Sequence, residues 1–249
     1  MPDAVEPLFL LLAGVVAGVI GTSGGITSLV AYPALLAVGI PPLAANVTNA
    51  VSLLGSGFGS AVRSGPELAG HGSTIRAWMP LTMLLSLSGA VLLILTPSRA
   101  FDRIVPFLLA TGAITLLLQP LIARSQARRG AGTNRAAVVL AGAGTAVYNG
   151  YFGAGAGILM IAVLLLGTEP VLPRANALKN VILLAADVLP AILFAFTGGV
   201  VWAAVWPLGI GALLGGLIGP SVARRVPADA LRILIASSGL ALAAWLLFR

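Results

Sequence analysis

The sequence predicts an all-α polytopic membrane protein built as two repeats, inverted relative to one another, each a broken or re-entrant helix plus three transmembrane helices. Three observations carry that expectation. Hydrophobic residues make up 59% of the 249 positions and charged ones only 8%, against about 25% charged in an average soluble domain. Apolar runs such as Trp78–Leu95 and Phe107–Ala123 approach the roughly 20 residues a helix needs to cross a bilayer. These runs are continuous rather than alternating, which favours bundled helices over a β-barrel. Finally, the chain carries an internal echo of itself.

That echo runs through both halves in the same order. Gly18-Val-Ile-Gly21-Thr-Ser-Gly24-Gly25-Ile26 recurs as Gly150-Tyr-Phe-Gly153-Ala-Gly-Ala-Gly157-Ile158. Ala45-Asn46-Val-Thr-Asn49 recurs as Ala175-Asn176-Ala-Leu-Lys179. Pro80, Gly89, Asp102 and Gly112 are matched by Pro207, Gly216, Asp229 and Gly239. Each match alone is weak in a glycine-rich chain; the shared order makes duplication the reading.

The elements follow in order. Met1 to Pro7 hold Asp3 and Glu6 and no basic residue, unlike the positive start of a cleavable signal peptide, so the N-terminus reads as part of the fold. The first repeat, 1–123, has a glycine-broken segment at 8–38 and simple spans at 44–62, 77–96 and 104–123. Residues 124–135 carry Arg124, Arg128, Arg129 and Arg135 with Gly130 and Gly132 and form a basic inter-repeat loop. The second repeat, 136–249, has a broken segment at 136–167 and spans at 174–196, 201–219 and 230–248.

Each broken segment has about 31 residues, some 46 Å of helix against a hydrocarbon core of about 30 Å. It is either a long broken span or a hairpin returning to the side it entered. The basic residues arbitrate. If both segments span, the 14 basic residues divide evenly between the two sides. If both are hairpins, Arg63, Arg76, Arg124, Arg128, Arg129, Arg135, Arg174, Lys179, Arg224, Arg225 and Arg232 share one side, and only Arg99, Arg103 and Arg249 the other. The hairpin reading gives a clear orientation and implies inverted halves.

The composition also narrows function. The net charge of +7 is spread between apolar runs rather than gathered in a patch, so nucleic acid is not an expected partner. With one histidine, no cysteine and a single acid inside an apolar stretch, catalysis lacks a nucleophile–base pair or metal ligands. No enzyme activity, metal or cofactor is expected.

The chemistry is placed at the breaks. Interrupted helices in a membrane leave unpaired backbone N–H groups that must face protein or a cavity. Their positive ends suit an anion, and glycine lets it approach the backbone. Gly21, Gly24 and Gly25 in one half and Gly153, Gly155 and Gly157 in the other are candidate binding residues. Pairs such as Gly14/Gly18 and Gly211/Gly215 read instead as packing. The helix after each break adds polar groups: Asn46 and Asn49, with Ser56 and Ser60 on the same arc, and Asn176, Lys179 and Asn180 with Asp187. Lys179 is the only lysine; it either meets a partner or ligand within the membrane or snorkels to the interface. Asp187 is the candidate proton-coupling group, with pairing to Lys179 or bonding to a neighbouring helix as alternatives. Tyr148 and Asn149 precede the second break and are further candidates. His71 reads as solvated, and Trp78, Trp202, Trp206 and Trp245 as interfacial anchors.

Two glycine-rich breaks, each followed by an Ala-Asn-x-x-Asn/Lys helix start, resemble the TauE/SafE sulfite-exporter family of membrane permeases, also called TSUP, over nearly the whole chain. The resemblance implies a duplicated inner (plasma) membrane protein that moves sulfite or another sulfur-containing or organic anion, driven by an ion gradient. Gly21, Gly24, Gly25 and Asn46 match the first motif; Gly153, Gly155, Gly157, Asn176 and Lys179 match the second. The chain departs in Ala154 and Ala156 between the second set of glycines and in Leu165 where the first half has Pro33. The implied partners are the small anion, the bilayer, a coupling proton or sodium ion and, if copies assemble, a second copy of the chain. A passive anion channel and transport of a non-sulfur anion are the alternative functions.

Overall fold

A computed structural model describes residues 5–128, 134–223 and 228–248. Those residues form eleven α-helices and one short 3-10 turn. In order these are α1 (Val5–Gly24), α2 (Ser28–Ala37), α3 (Pro42–Ser52), α4 (Leu54–Arg63), the turn Gly65–Leu68, α5 (Gly72–Leu95), α6 (Ser98–Arg128), α7 (Arg135–Tyr151), α8 (Ala156–Gly167), α9 (Leu172–Thr197), α10 (Trp202–Ala223) and α11 (Ala228–Leu247). Five are long and apolar enough to cross a membrane: α1, α5, α6, α9 and α10.

Two boundaries differ from expectation. The span expected at 44–62 is divided at Leu53 into α3 and α4, in a stretch where Gly55, Gly57 and Gly59 lower helix propensity. Helix α6 continues to Arg128, so the basic inter-repeat segment is helical at its start. The remainder of that loop, from Arg129 to Thr133, lies outside the described residues, as do Arg224, Arg225 and Arg249.

Backbone approaches at glycine fix the helix directions. A Cβ on Gly14 would meet Leu208 to Ala212, and one on Gly18 would meet Ala212 to Gly216, so α1 and α10 run parallel. Gly55 abuts Gly209 and Gly59 abuts Leu213 to Leu217, which makes α4 parallel to both. Trp78 lies against Gly142, and Ser86 against Gly150, so α5 and α7 are also parallel. Gly14, Gly18, Gly211 and Gly215 therefore do serve packing, where lipid offers no hydrophobic drive and close contact must hold helices together.

These directions make both broken segments hairpins. Val201 N–H donates to Thr48 Oγ1 (3.0 Å), and Pro42 to Ala44 face Thr197 to Gly199 across one cavity, placing α3 beside the start of α10 and hence of α1. Helix α2 therefore returns to the end from which α1 departs. At the opposite end, His71 precedes α5, and its Nε2 meets Glu169 Oε2 (2.5 Å) just after α8. The α7–α8 pair thus enters and leaves there. The two hairpins come from opposite ends of the bundle. Helix α1 packs on α10 and α7 on α5, while α6 packs on α11.

The end where α5, α7 and α9 begin carries Arg63, Arg76, Arg135 and Arg174 at its helix ends; the opposite end carries Arg99 and Arg103. At this basic end His71 is bonded, not solvated. Its Nδ1 faces the Ala69 carbonyl (3.0 Å) while Nε2 faces Glu169. Glu169 also accepts from Val171 N–H (2.9 Å). Burial acts to raise its pKa, but the Val171 N–H, His71 and the charge of Arg174 outweigh burial and hold it below the ordinary 4.5. Trp78 is likewise not an interfacial anchor: it is 6% exposed and wedged against Gly142. Trp202, Trp206 and Trp245 are exposed.

Candidate functional site

The hairpin tips meet in the interior. Gly25, at the end of α1, has φ +70°, and a Cβ there would lie 2.6 Å from Gly157 C. A Cβ on Gly157 would in turn lie 2.5 Å from Gly25 Cα. Only glycine at both positions allows this backbone-on-backbone contact, and only glycine takes the left-handed turn at Gly25 without strain. At the other tip Gly153 and Gly155 also have positive φ, and Tyr148 OH donates to the Ala154 carbonyl (2.7 Å), holding the turn. Tyr148 thus fastens a tip and does not line the cavity beside it.

That cavity measures about 70 Å³. It has room for several waters or one small ion and falls well below the roughly 300–1,000 Å³ of sites for drug-sized ligands. Both tips line it, through Gly21, Gly25, Thr27 and Ser28 on one side and Asn149, Gly153 and Gly157 on the other. Helix α4 contributes Ser56, Gly57 and Ser60; helix α9 contributes Lys179, Asn180 and Asp187. Thr27, Ser28 and Gly57 were not singled out from the sequence, where small and hydroxyl residues in apolar helices are too common to be a signal.

Lys179 is 3% exposed, so it does not snorkel. Its Nζ donates to the Gly21 carbonyl (3.1 Å), which also accepts from Gly25 N–H (2.8 Å). A cation at mid-helix in a membrane costs about 2.5–3.5 kcal/mol, and one carbonyl satisfies one of its three N–H donors. Asp187 Oδ1 accepts from Asn149 Nδ2 (2.6 Å). Lys179 and Asp187 make no ion pair with each other; among the described residues the ion pair is His71–Glu169. A lysine and an aspartate therefore face one small cavity, each held by a different hairpin tip. Asn180 Nδ2 donates to Ser64 Oγ (3.2 Å), tying α9 to the end of α4.

Asn46 and Asn176, the matched asparagines, do not line the cavity. Each reaches across to the other half's hairpin instead. Asn46 Nδ2 donates to the Tyr151 carbonyl (2.9 Å) and Asn176 Nδ2 donates to the Thr22 carbonyl (2.9 Å). Those carbonyls sit at the broken ends of α7 and α1, where no following helical turn takes them up. Asn49 Nδ2 donates to Ser28 Oγ (3.2 Å) behind the cavity wall. Gly24 and Gly155 also stand off the cavity; Gly155 packs on Gly112 of α6.

Residues 8–246 match the family described as Sulfite exporter TauE/SafE. A probable membrane transporter protein, ORF9, of a Sinorhizobium species is 29% identical over 246 residues, 96% of this chain and 91% of that protein. The probable membrane transporter protein YfcA of Escherichia coli K12 is 27% identical over 86% of this chain and 81% of its own. One from Haemophilus influenzae is 26% identical over 84% of this chain and 82% of its own. No solved structure matches. The family match runs from the first turn of α1 to the last turn of α11, and with five helices suited to crossing a bilayer it places the chain in the sulfite exporter TauE/SafE family, as a multi-pass membrane protein of the transporter class.

Proposed function

We propose that the protein is a secondary-active transporter of a small anion, sulfite or an organosulfonate, acting by alternating access between two inverted halves in the inner (plasma) membrane. The observation that carries this reading is the cavity between the hairpin tips, with a buried ammonium group held against a backbone carbonyl beside it. The anion takes the free N–H donors of Lys179, with the second amide N–H of Asn180, the Ser56 hydroxyl and backbone N–H groups at the tips completing its shell. The family's printed name, sulfite exporter, supports the substrate class. By the positive-inside rule the basic end faces the cytoplasm.

Asp187 supplies the coupling. A carboxylate on the anion's path repels it, and a proton carried on Asp187 removes that repulsion, so anion and proton move together. The crossed bonds Asn46–Tyr151 and Asn176–Thr22 serve as the two gates, each fastening one half to the other half's hairpin. Contact between Gly25 and Gly157 closes the middle of the path, which favours a gated carrier over an open channel. No catalysis and no cofactor are assigned.

The deciding experiment is flux of sulfite, thiosulfate, sulfoacetate and sulfate into proteoliposomes, with and without an imposed pH gradient. Saturable sulfite or sulfonate flux that follows the gradient is expected. Flux that neither saturates nor responds to the gradient would identify a channel, and absence of flux for all four would remove the substrate class.

A further inference from the structure

A second cavity lies at the basic ends of α5, α7 and α8. Helices α5 and α7 are parallel, so both begin here. Between their first turns and the end of α8 lies a cavity of about 460 Å³, several times the central one. Its lining changes character with depth. Ser73 and Thr74 in the first turn of α5, Arg135 at the start of α7 and Thr168 after α8 form the rim. Ala77, Leu81 and Val139, one to two turns further along the same helices, form the wall with Trp78. One to two turns is roughly 5–11 Å, the step from headgroup to acyl region. Ser73, Ala77, Arg135 and Val139 are exposed, so the cavity opens at the bundle surface at both levels.

We propose that this cavity binds one anionic phospholipid of the leaflet at the basic end, its phosphate at Arg135 and the hydroxyls, and the start of an acyl chain along Ala77, Leu81 and Val139. Arg135 has no ion-pair partner among the described residues. The nearby carboxylate, Glu169, is already engaged by His71 and Val171. The first turns of α5 and α7 add partial positive charge at the rim. The complement is an anion, and the surface at this level of a cytoplasmic leaflet is itself anionic. A water-soluble anion would satisfy the rim and leave the apolar wall unfilled. A lipid fills both and bridges α5, α7 and α8 at this end. Placing this leaflet on the cytoplasmic side rests on the orientation proposed above; the site itself does not depend on the transported substrate.

The test is native mass spectrometry of the full chain released from nanodiscs of phosphatidylcholine containing phosphatidylglycerol. One retained phosphatidylglycerol is expected. Arg135→Gln, at an exposed position, should lower its retention about fivefold, the effect of one basic group at an anionic surface. Ala77→Trp, also at an exposed position, should block the acyl wall and lower retention while thermal unfolding stays that of the wild type. Equal retention of both lipids, or unchanged retention in Arg135→Gln, would overturn the proposal. So would displacement of the lipid by millimolar inorganic phosphate combined with full retention in Ala77→Trp, which would identify a site for a soluble anion. Loss of sulfite flux plays no part in this readout, so failure of the transport reading is distinguishable from failure of this one.

Discussion

The ammonium group of Lys179 lies against the Gly21 carbonyl with two donors left over, and that imbalance sets the residue-scale expectations. Lys179→Gln keeps a donor and most of the volume but removes the charge. A charge-assisted bond contributes about 1.5–3 kcal/mol, so anion affinity should fall about ten- to a hundredfold, measured by sulfite protection in thermal-shift or by calorimetric titration. Unchanged affinity and flux would remove Lys179 from the site. Asp187→Asn keeps the Asn149 contact through an amide oxygen and cannot carry a proton. Anion exchange should persist while its dependence on a pH gradient disappears; a retained gradient response would place coupling elsewhere. Both residues were legible because an ionisable side chain inside an apolar run stands out. The roles of Asn46 and Asn176 were not. An asparagine that binds a ligand and one that caps a broken helix look alike in sequence, and only the crossed bonds to Tyr151 and Thr22 tell them apart.

At the scale of elements, the breaks themselves were visible because glycine clusters interrupting an apolar helix are a backbone signal, independent of tertiary partners. Which glycines touch was not visible. Gly25 and Gly24 are neighbours, yet a Cβ on Gly25 would strike the Gly157 backbone at 2.6 Å, while one on Gly24 would meet only the Ile26 side chain at 3.5 Å. Gly25→Ala should therefore force the tips apart at a cost of about 1–3 kcal/mol and abolish gradient-driven flux. Gly24→Ala should leave both thermal stability and flux near wild type. Equal effects of the two substitutions would mean that the tip contact is not what matters. The clasp at the basic end makes a separate prediction. Because the Glu169 pKa is lowered on folding, its contribution is present above the unfolded value and is lost as pH falls through the folded one. Hydrogen exchange in 65–71 and 168–172, relative to the intrinsic rate, should rise as pH drops below the ordinary glutamate value of 4.5. Glu169→Gln should show that raised exchange already at neutral pH.

For the molecule as a whole, hydropathy located the continuous helices α5, α6, α9, α10 and α11, of which all but α11 are long and apolar enough to cross a membrane, and it merged the discontinuous ones. Helices α3 and α4 read as one span because a bend at Leu53 leaves the apolar pattern intact. The Arg63–Arg76 and Arg124–Arg135 segments, by contrast, announced the basic end, since the positive-inside bias records orientation and not packing. Parallel packing of α1 on α10 and α7 on α5 could not be read, because a glycine stripe states that something packs closely without naming the partner. The orientation yields the broadest test. The chain contains no cysteine, so single cysteines report topology directly. Gly65→Cys in the turn after α4 is free of steric conflict, and Ser98→Cys at the start of α6 is exposed. In inverted cells or right-side-out spheroplasts, a membrane-impermeant maleimide should label Gly65→Cys only from the cytoplasmic face and Ser98→Cys only from the outer face. Ala37→Cys, at the exposed end of α2, should label with Ser98→Cys, because α1–α2 returns to the end it left. Labelling of position 37 from the cytoplasmic face would mean that this segment spans, and the inverted-hairpin arrangement would fail with it.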